Sequence, residues 1–138
     1  MYRKAAEAGH AHAMTRVGLA FAEGDSVKQD FPEAVRWFRR AIDAGDLQAT
    51  AFLGDMYVIG GGVPRDFAQA LAIYHKGADH GEPSAMVKIG VMYYRGRGVR
   101  EDLAAAASWW RRAADLGDKD GMANLANLYV RGTGVPPE

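Results

Sequence analysis

Histidine is the residue of this 138-residue chain best suited to metal or acid–base chemistry, and no cysteine is present to assist it. His10 and His12 stand two residues apart, and His75 and His80 stand five apart. Neither pair has the i, i+4 spacing that brings two imidazoles to one face of a helix. The sequence therefore predicts no metal site and no cofactor.

Clusters of glycine suggest a second kind of chemistry, the binding of phosphate by backbone N–H groups. Gly60, Gly61 and Gly62 are consecutive, and Gly96 and Gly98 flank one residue. They follow helix-like apolar stretches instead of strands, and the lysine and serine of a P-loop are missing, so we interpret them as turns. No Ser-His-Asp set, catalytic carboxylate pair or S-x-x-K motif can be assigned, and we expect the protein not to be an enzyme.

The overall composition lies in the ordinary range of globular proteins, with 49% hydrophobic and 25% charged residues. Lys plus Arg and Asp plus Glu each number 17, so no net charge attracts the chain to nucleic acid or to an anionic membrane. No apolar run reaches the roughly 18 residues of a membrane span. We therefore expect no nucleic-acid binding and no membrane insertion, while the compartment is left open because a lack of cysteine does not decide it.

The elements that position any site are set by one motif, LGDMYVIGGGVPRD at residues 53–66, which occurs four times. Three of its columns recur every 36 residues, namely Phe21, Tyr57, Tyr93 and Tyr129; Gly24, Gly60, Gly96 and Gly132; and Val27, Val63, Val99 and Val135. A period of this length indicates a solenoid, in which each unit buries its apolar face only by stacking on a neighbour.

Each repeat is predicted to contain two helices. The first helices cover about residues 11–23, 47–59, 83–95 and 119–131, where apolar residues recur at i, i+3, i+4 and i+7. The second helices cover about residues 31–44, 67–80 and 103–116. Their aromatic residues, Trp37, Phe38, Tyr74, Trp109 and Trp110, stand at repeat positions and are interpreted as packing between helix pairs.

Two further columns predict local geometry. Asp30, Asp66 and Asp102 stand at the N-caps of the second helices, with Glu33 and Gln69 completing a capping box in two copies. Gly18, Gly54 and Gly90 recur inside the first helices, where each costs about 1 kcal/mol of helix stability. That recurring cost predicts a close approach by the backbone of a neighbouring helix.

These columns resemble Sel1-like repeats, relatives of the tetratricopeptide repeats, whose pattern is A-x-x-x-L-G-x-x-Y-x-x-G-x-G-V-x-x-D followed by A, an aromatic residue, A-A and G. One copy matches at Ala49, Leu53, Gly54, Tyr57, Gly60, Gly62, Val63, Asp66, Ala70, Tyr74, Ala78 and Gly81. The next matches at Ala85, Ile89, Gly90, Tyr93, Gly96, Gly98, Val99, Asp102, Ala106, Trp110, Ala113, Ala114 and Gly117. The resemblance implies an all-α fold, a right-handed α/α superhelical solenoid of antiparallel helix pairs with the first helices on its concave side.

The expected organisation is one domain over residues 1–138, cut from a longer array. It contains a partial repeat at 1–9, repeats at 10–45, 46–81 and 82–117, and a partial repeat at 118–138. The resemblance implies a non-catalytic adaptor or scaffold with a protein or peptide partner. An enzyme or cell-wall-ligand-binding protein of the β-lactamase-like Sel1 type, and a purely structural spacer, are the alternatives.

One face of the first helices varies between copies, and apolar residues stand on it. The predicted protein-binding residues are Arg16, Leu19, Phe52, Asp55, Ile59, Lys88, Val91, Tyr94, Arg95, Asn124, Asn127 and Arg131. A scaffold that repeats elsewhere and differs here is typical of a binding groove, although the drift of a solvated surface produces the same pattern. Both interpretations stay open from the sequence.

Neither end of the array carries a polar capping repeat. Tyr2, Ala5 and Ala6 would lack a preceding helix at the N-terminal end, and Leu125, Leu128 and Tyr129 would lack a second helix at the C-terminal end. Because apolar ends favour association, the sequence predicts self-association through them or fraying of the terminal helices.

Overall fold

The structure is a computed structural model, and it describes residues 9–24 and 27–130. Within these ranges it contains helices and no strands, which confirms the all-α class. The helices are α1 (Ala11–Glu23), α2 (Phe31–Asp43), α3 (Ala49–Ile59), α4 (Phe67–Asp79), α5 (Pro83–Arg95), α6 (Leu103–Asp115) and α7 (Lys119–Val130). The odd-numbered helices are the first helices of their repeats, and the even-numbered ones are the second helices.

The second helices begin where the sequence predicts. The carboxylates of Asp30, Asp66 and Asp102 accept hydrogen bonds of 3.0 to 3.1 Å from the N–H three residues on. The predicted capping box is wrong, because the N–H groups of Asp30 and Asp66 donate to the carbonyls of Phe21 and Tyr57 instead. Those bonds tie the linking loop to the preceding first helix, so the N-cap N–H has no need of a side-chain acceptor.

The first helices end at glycines in the left-handed conformation. Gly24, Gly60 and Gly96 have φ of 72°, 72° and 64°, a region that favours glycine. The α3 helix begins at Ala49, two residues later than predicted. The N–H groups of Ala49 and Thr50 donate to the carbonyls of Asp46 and Leu47, three residues back, so the chain forms a tighter turn just before the helix.

Each helix packs against its neighbours in the chain, and the first helices also contact one another. The α3 helix touches α5, and α5 touches α7. Backbone contacts as extensive as these are found between first helices and not between second helices of the described chain. The structure is therefore an α/α solenoid in which α3, α5 and α7 lie along one side of the stack, the side of the first helices that the sequence predicts to be concave.

The glycine column receives an aromatic ring instead of a helix backbone. A side-chain carbon at Gly54 would overlap the ring of Tyr74, and one at Gly90 would overlap that of Trp110; Gly18 has the same relation to Phe38. Each ring comes from the second helix of the same repeat, and all three are at most 4% exposed. The expected backbone approach is thus corrected, because the glycine provides the space that the core ring occupies against the first helix.

Candidate functional site

A cluster of three polar side chains crosses the concave face between the second and third repeats. The Tyr74 hydroxyl of α4 donates to Asp55 Oδ1 of α3 at 2.6 Å, and Lys88 Nζ of α5 lies 3.1 Å from Asp55 Oδ2. Burial, and then the charge and hydrogen bond of Asp55, raise the pKa of the Tyr74 hydroxyl far above its usual range. The tyrosine therefore stays protonated and donates, and both carboxylate oxygens of Asp55 are engaged.

A pocket of about 170 Å³ opens on the same face, between α5, α6 and α7. It is lined by Val91, Tyr94, Arg95, Trp110, Asn124, Asn127 and Leu128. Five of these seven were predicted from the sequence as groove residues. Trp110 and Leu128 were missed as pocket residues, because their columns are apolar in every copy and gave only a packing signal.

The floor of the pocket is apolar. Trp110 and Leu128 are 4% and 2% exposed, and the rings of Trp110 and Tyr94 lie 5.7 Å apart between centroids. The indole Nε1–H of Trp110 donates to the Val87 carbonyl at 3.1 Å. That hydrogen bond satisfies the only polar atom of the indole, so the ring offers the pocket a purely hydrophobic surface.

The rim of the pocket is polar and its hydrogen-bonding groups are unused. Over residues 9–24 and 27–130, the side chains of Arg95, Asn124 and Asn127 form no hydrogen bond or ion pair. Arg95 and Asn127 are exposed, and Asn124 is half-buried. The rim thus presents one cation and two amides, each amide with a donor and an acceptor, beside an apolar floor.

The other predicted groove residues lie outside this pocket. Phe52 is half-buried and its ring stacks on Phe38 at 5.7 Å, so it belongs partly to the core. Leu19 is half-buried, Arg16 is exposed, and Ile59 is 59% exposed. Arg131 lies outside the described residues.

The C-terminal helix differs in part from its prediction. Leu128 is buried because it joins the core shared by α4 to α6, so its expected exposure is wrong. Leu125 and Tyr129 are half-buried, and the Tyr129 hydroxyl accepts a hydrogen bond from Arg111. Met122 and Val130 are instead the large apolar residues of α7 that are exposed. Tyr2, Ala5 and Ala6 lie outside the described residues.

The histidines are dispersed. His12 Nδ1 lies 3.7 Å from a carboxylate oxygen of Asp46, His75 packs edge-on against Trp109 at 5.5 Å, and His80 Nδ1 lies 2.9 Å from the Lys76 carbonyl. In the part of the chain that the structure describes, no three histidine or carboxylate side chains converge on a point that would hold a metal ion. None of the described helices is long and apolar enough to cross a membrane.

A second hollow, of about 210 Å³, lies on the other side of the stack and was not predicted. It is lined by Arg39, Ile42, Asp43, Leu53, Gln69, Ile73 and Lys76. One of its cations is already used, since Arg39 donates to the Tyr57 hydroxyl at 2.6 Å. Its lining comes from α2, α3 and α4, so no single column of the repeat indicated it.

Comparison with known proteins supports the architecture. The sequence model of the Sel1 repeat family matches residues 1–10, 11–46, 47–82, 83–118 and 119–138. The chain is similar to a Sel1 repeat protein from Oxalobacter formigenes, with 37% identity and a TM-score of 0.83, over 95% of this chain and 54% of that one. It is also similar to c5321, a protective antigen of uropathogenic Escherichia coli strains, with 39% identity, a TM-score of 0.80 and coverage of 99% and 29%.

The Helicobacter pylori cysteine rich protein B shares the fold, with a TM-score of 0.69 at 22% identity over 90% of this chain and 94% of that one. A search of curated proteins gave no match. The chain spans 54% and 29% of the lengths of its Oxalobacter and Escherichia relatives. The repeat matches cover the chain from end to end, and the likeness to solved repeat proteins extends over nearly all of it. The chain belongs to the Sel1 repeat family.

Proposed function

We propose that this chain is a non-catalytic adaptor that binds a peptide or an extended protein segment along the concave face of its first helices. Sel1 repeat proteins commonly serve as protein-interaction scaffolds. The observation that carries the proposal is the pocket between α5 and α7, where Arg95, Asn124 and Asn127 surround an apolar floor without engaging one another. Unused polar groups beside a buried aromatic ring are what a peptide needs for a backbone contact and a side-chain anchor.

The lining of the pocket favours binding over catalysis. An enzyme site brings together ionisable groups with perturbed pKa values in a cleft. The residues that line this pocket include no carboxylate and no histidine. Among the described residues, the Tyr74 hydroxyl has a raised pKa, and this hydroxyl is buried and donates a hydrogen bond to Asp55.

A purely structural spacer is the weaker alternative. A spacer has no use for an apolar pocket, and the pocket between α5 and α7 combines an apolar floor with one cation and two amides at its rim. Ile59, at 59% exposure, adds one apolar side chain to the predicted face.

The test begins with peptides selected from a random library by the purified chain. Their affinity is then measured by calorimetry for the chain and for Ile59→Ala, Tyr94→Ala and Lys88→Ala, with Arg36→Ala on the second helix α2 as the control. Phe52 and Tyr94 each pack on a core ring, Phe38 and Trp110, so the melting temperature of Tyr94→Ala is measured beside its affinity.

We expect Tyr94→Ala to weaken binding by about tenfold or more, since it removes an aromatic anchor, and Arg36→Ala to leave it unchanged. Circular dichroism confirms that each variant is folded. If the three concave variants bind like the parent chain while Arg36→Ala weakens binding, the concave face is not the binding surface.

A further inference from the structure

We propose that the hollow between α2 and α4, on the side of the stack formed by the second helices, binds an aromatic side chain of a partner protein, with a preference for tryptophan. This site is separate from the concave face, because none of the residues that line the hollow also lines the pocket between α5 and α7. It adds a second binding surface to the proposed adaptor.

One position of the repeat explains why the hollow exists. Ile73 stands in it, whereas the residues 36 positions before and after are Trp37 and Trp109. Between the second and third repeats, the Trp109 ring of α6 packs edge-on against His75 of α4, at 5.5 Å between ring centroids. His75 and Arg39 occupy the same repeat position, so the corresponding place between the first two repeats lies between Ile73 and Arg39. Both of these residues line the hollow, which therefore lies where the next repeat boundary holds an indole.

A cation is already placed for the face of such a ring. Arg40 and Arg112 each lie over the ring of the tryptophan three residues earlier, at 4.3 and 4.4 Å from guanidinium carbon to ring centroid. Lys76 has the same repeat position, three residues after Ile73, and it lines the hollow. It is exposed and forms no ion pair with a described carboxylate. Because a cation is attracted to the negative face of an aromatic ring, Lys76 complements a ring that enters the hollow.

The floor and the volume of the hollow fit one ring. Ile42 and Leu53, which are 8% and 3% exposed, give it an apolar floor. Its volume of about 210 Å³ exceeds that of an engineered cavity in another protein, of about 150 Å³, that holds benzene. Sites for drug-sized ligands run from about 300 to 1,000 Å³. The hollow therefore accepts one aromatic side chain, and it is larger than a single six-membered ring requires.

The rim favours tryptophan among the aromatic residues. Asp43 and Gln69 line the hollow and are exposed, and in the described part of the chain their side chains form no hydrogen bond or ion pair. Each carries an acceptor oxygen beside the apolar floor. The indole of tryptophan has one N–H donor and no acceptor, so these oxygens suit it, whereas phenylalanine has no donor to offer them.

The test uses the 138-residue chain and three probes, which are the peptides acetyl-Gly-Trp-Gly amide and acetyl-Gly-Leu-Gly amide, and free indole. Binding is followed by NMR titration of the methyl signals of Ile42 and Leu53 in the floor. Two variants change the hollow: Ile73→Trp supplies an indole from the chain itself, and Lys76→Gln removes the cation. Lys119→Gln, an exposed lysine at the start of α7, is the matched control.

We expect the tryptophan peptide to shift the methyl signals and to bind at least about fivefold more tightly than the leucine peptide. Lys76→Gln should weaken its binding by about two- to fivefold, and Lys119→Gln should leave it unchanged. Ile73→Trp should abolish binding and raise the melting temperature by about 2 to 8 °C, because its own ring fills the hollow.

Several results would overturn the inference. Equal affinity for the two peptides would show that the hollow takes any apolar side chain, and the absence of methyl shifts up to about 10 mM peptide would show that it takes none. Retained binding by Ile73→Trp, or a lowered melting temperature of that variant, would show that an indole does not fit. Unchanged binding by Lys76→Gln would show that no ring lies against the cation. Free indole that binds more tightly than the tryptophan peptide would assign the hollow to a free aromatic compound.

The hollow and the concave face are tested separately. Tyr94→Ala changes the pocket between α5 and α7, so it should leave the shifts that the tryptophan peptide causes at Ile42 and Leu53 as they are. Loss of these shifts in a folded Tyr94→Ala variant would place the peptide in that pocket and overturn the inference. The response of library-selected peptides to the concave variants does not depend on this outcome.

Discussion

Two sets of polar side chains on the concave face were predicted together, and the structure uses them in different ways. Asp55 has both carboxylate oxygens engaged, by Tyr74 and Lys88. Arg95 and the two asparagines of α7 have no described partner. The difference teaches that variation between repeats identifies positions free to specialise, while the contacts of each side chain decide whether it serves the fold or a ligand.

The role of Asp55 follows from the identity of the core ring in its own repeat. The aromatic ring that lies on the glycine of each first helix is Phe38, Tyr74 or Trp110 in the three repeats. Only Tyr74 has a hydroxyl that must find an acceptor when buried, and Asp55 provides it. The corresponding residues in the other repeats are Leu19, beside a phenylalanine without polar atoms, and Val91, beside a tryptophan whose N–H reaches a backbone carbonyl.

The largest effect is expected from Gly90→Leu, which should damage the core and the pocket together. A side chain there overlaps the indole of Trp110, and overpacking of this kind costs roughly 1 to 3 kcal/mol or more. The measurement is the melting temperature, with Arg100→Leu in an exposed loop as the control. Equal melting temperatures for the two variants would refute the steric argument.

A smaller loss of stability is expected from Asp55→Ala. Comparing it with a pocket-rim variant tests whether the two sets of polar side chains differ in their contribution to the fold. The change leaves the buried hydroxyl of Tyr74 without its acceptor, which should lower the free energy of unfolding by about 1 to 3 kcal/mol. Asn127→Ala, on the pocket rim, should change it by less than about 0.5 kcal/mol. Urea denaturation compares them, and similar losses would mean that Asn127 is as structural as Asp55.

Tyr74→Phe should have a still smaller effect that depends on pH. Because the folded-state pKa of the Tyr74 hydroxyl is raised above the unfolded value of about 10, its contribution is complete below that pH and is lost as pH rises above it. We expect the variant to be less stable by about 0.5 to 1.5 kcal/mol at pH 8, with the gap narrowing at about pH 11. Urea titrations at both values provide the check, and a constant gap would contradict the buried donor.

The fold was largely predictable from the sequence because its signals are repeated. Asp30, Asp66 and Asp102 occupy one column, and the structure confirms all three as N-caps. The capping box could not be excluded in advance, since the competing bond from the Asp30 N–H to the Phe21 carbonyl depends on how the loop closes. The recurring glycines inside the first helices likewise predicted a close neighbour, but they did not indicate that this neighbour is an aromatic ring.

The site was predictable only in part. Val91, Tyr94, Arg95, Asn124 and Asn127 were found because their columns vary, and the structure brings them together. Phe52 satisfied the same criterion, yet its ring packs on Phe38. Variation between repeats does not indicate which side chains contact each other. It also misses Trp110 and Leu128, the floor of the pocket, because their repeat positions are apolar in every copy.

The last prediction concerns the exposed apolar side of α7, away from the pocket. Met122, Ala126 and Val130 are four residues apart, form one stripe on α7 and are all exposed. In α5 the same columns hold Met86 and Gly90, which are buried, the latter beneath the ring of Trp110. An apolar stripe of this kind favours association with a second copy of the chain.

We expect weak, concentration-dependent self-association, to be measured by sedimentation equilibrium at several concentrations. Met122→Ser should weaken it, because that side chain is 47% exposed and contributes to the stripe without entering the core. Ser108→Ala, which alters an exposed position of α6, serves as the control. Hydrogen exchange of the backbone amides gives the second readout. If the chain is strictly monomeric and the α7 amides are as protected as those of α5, the apolar stripe is stable in water and the prediction is wrong.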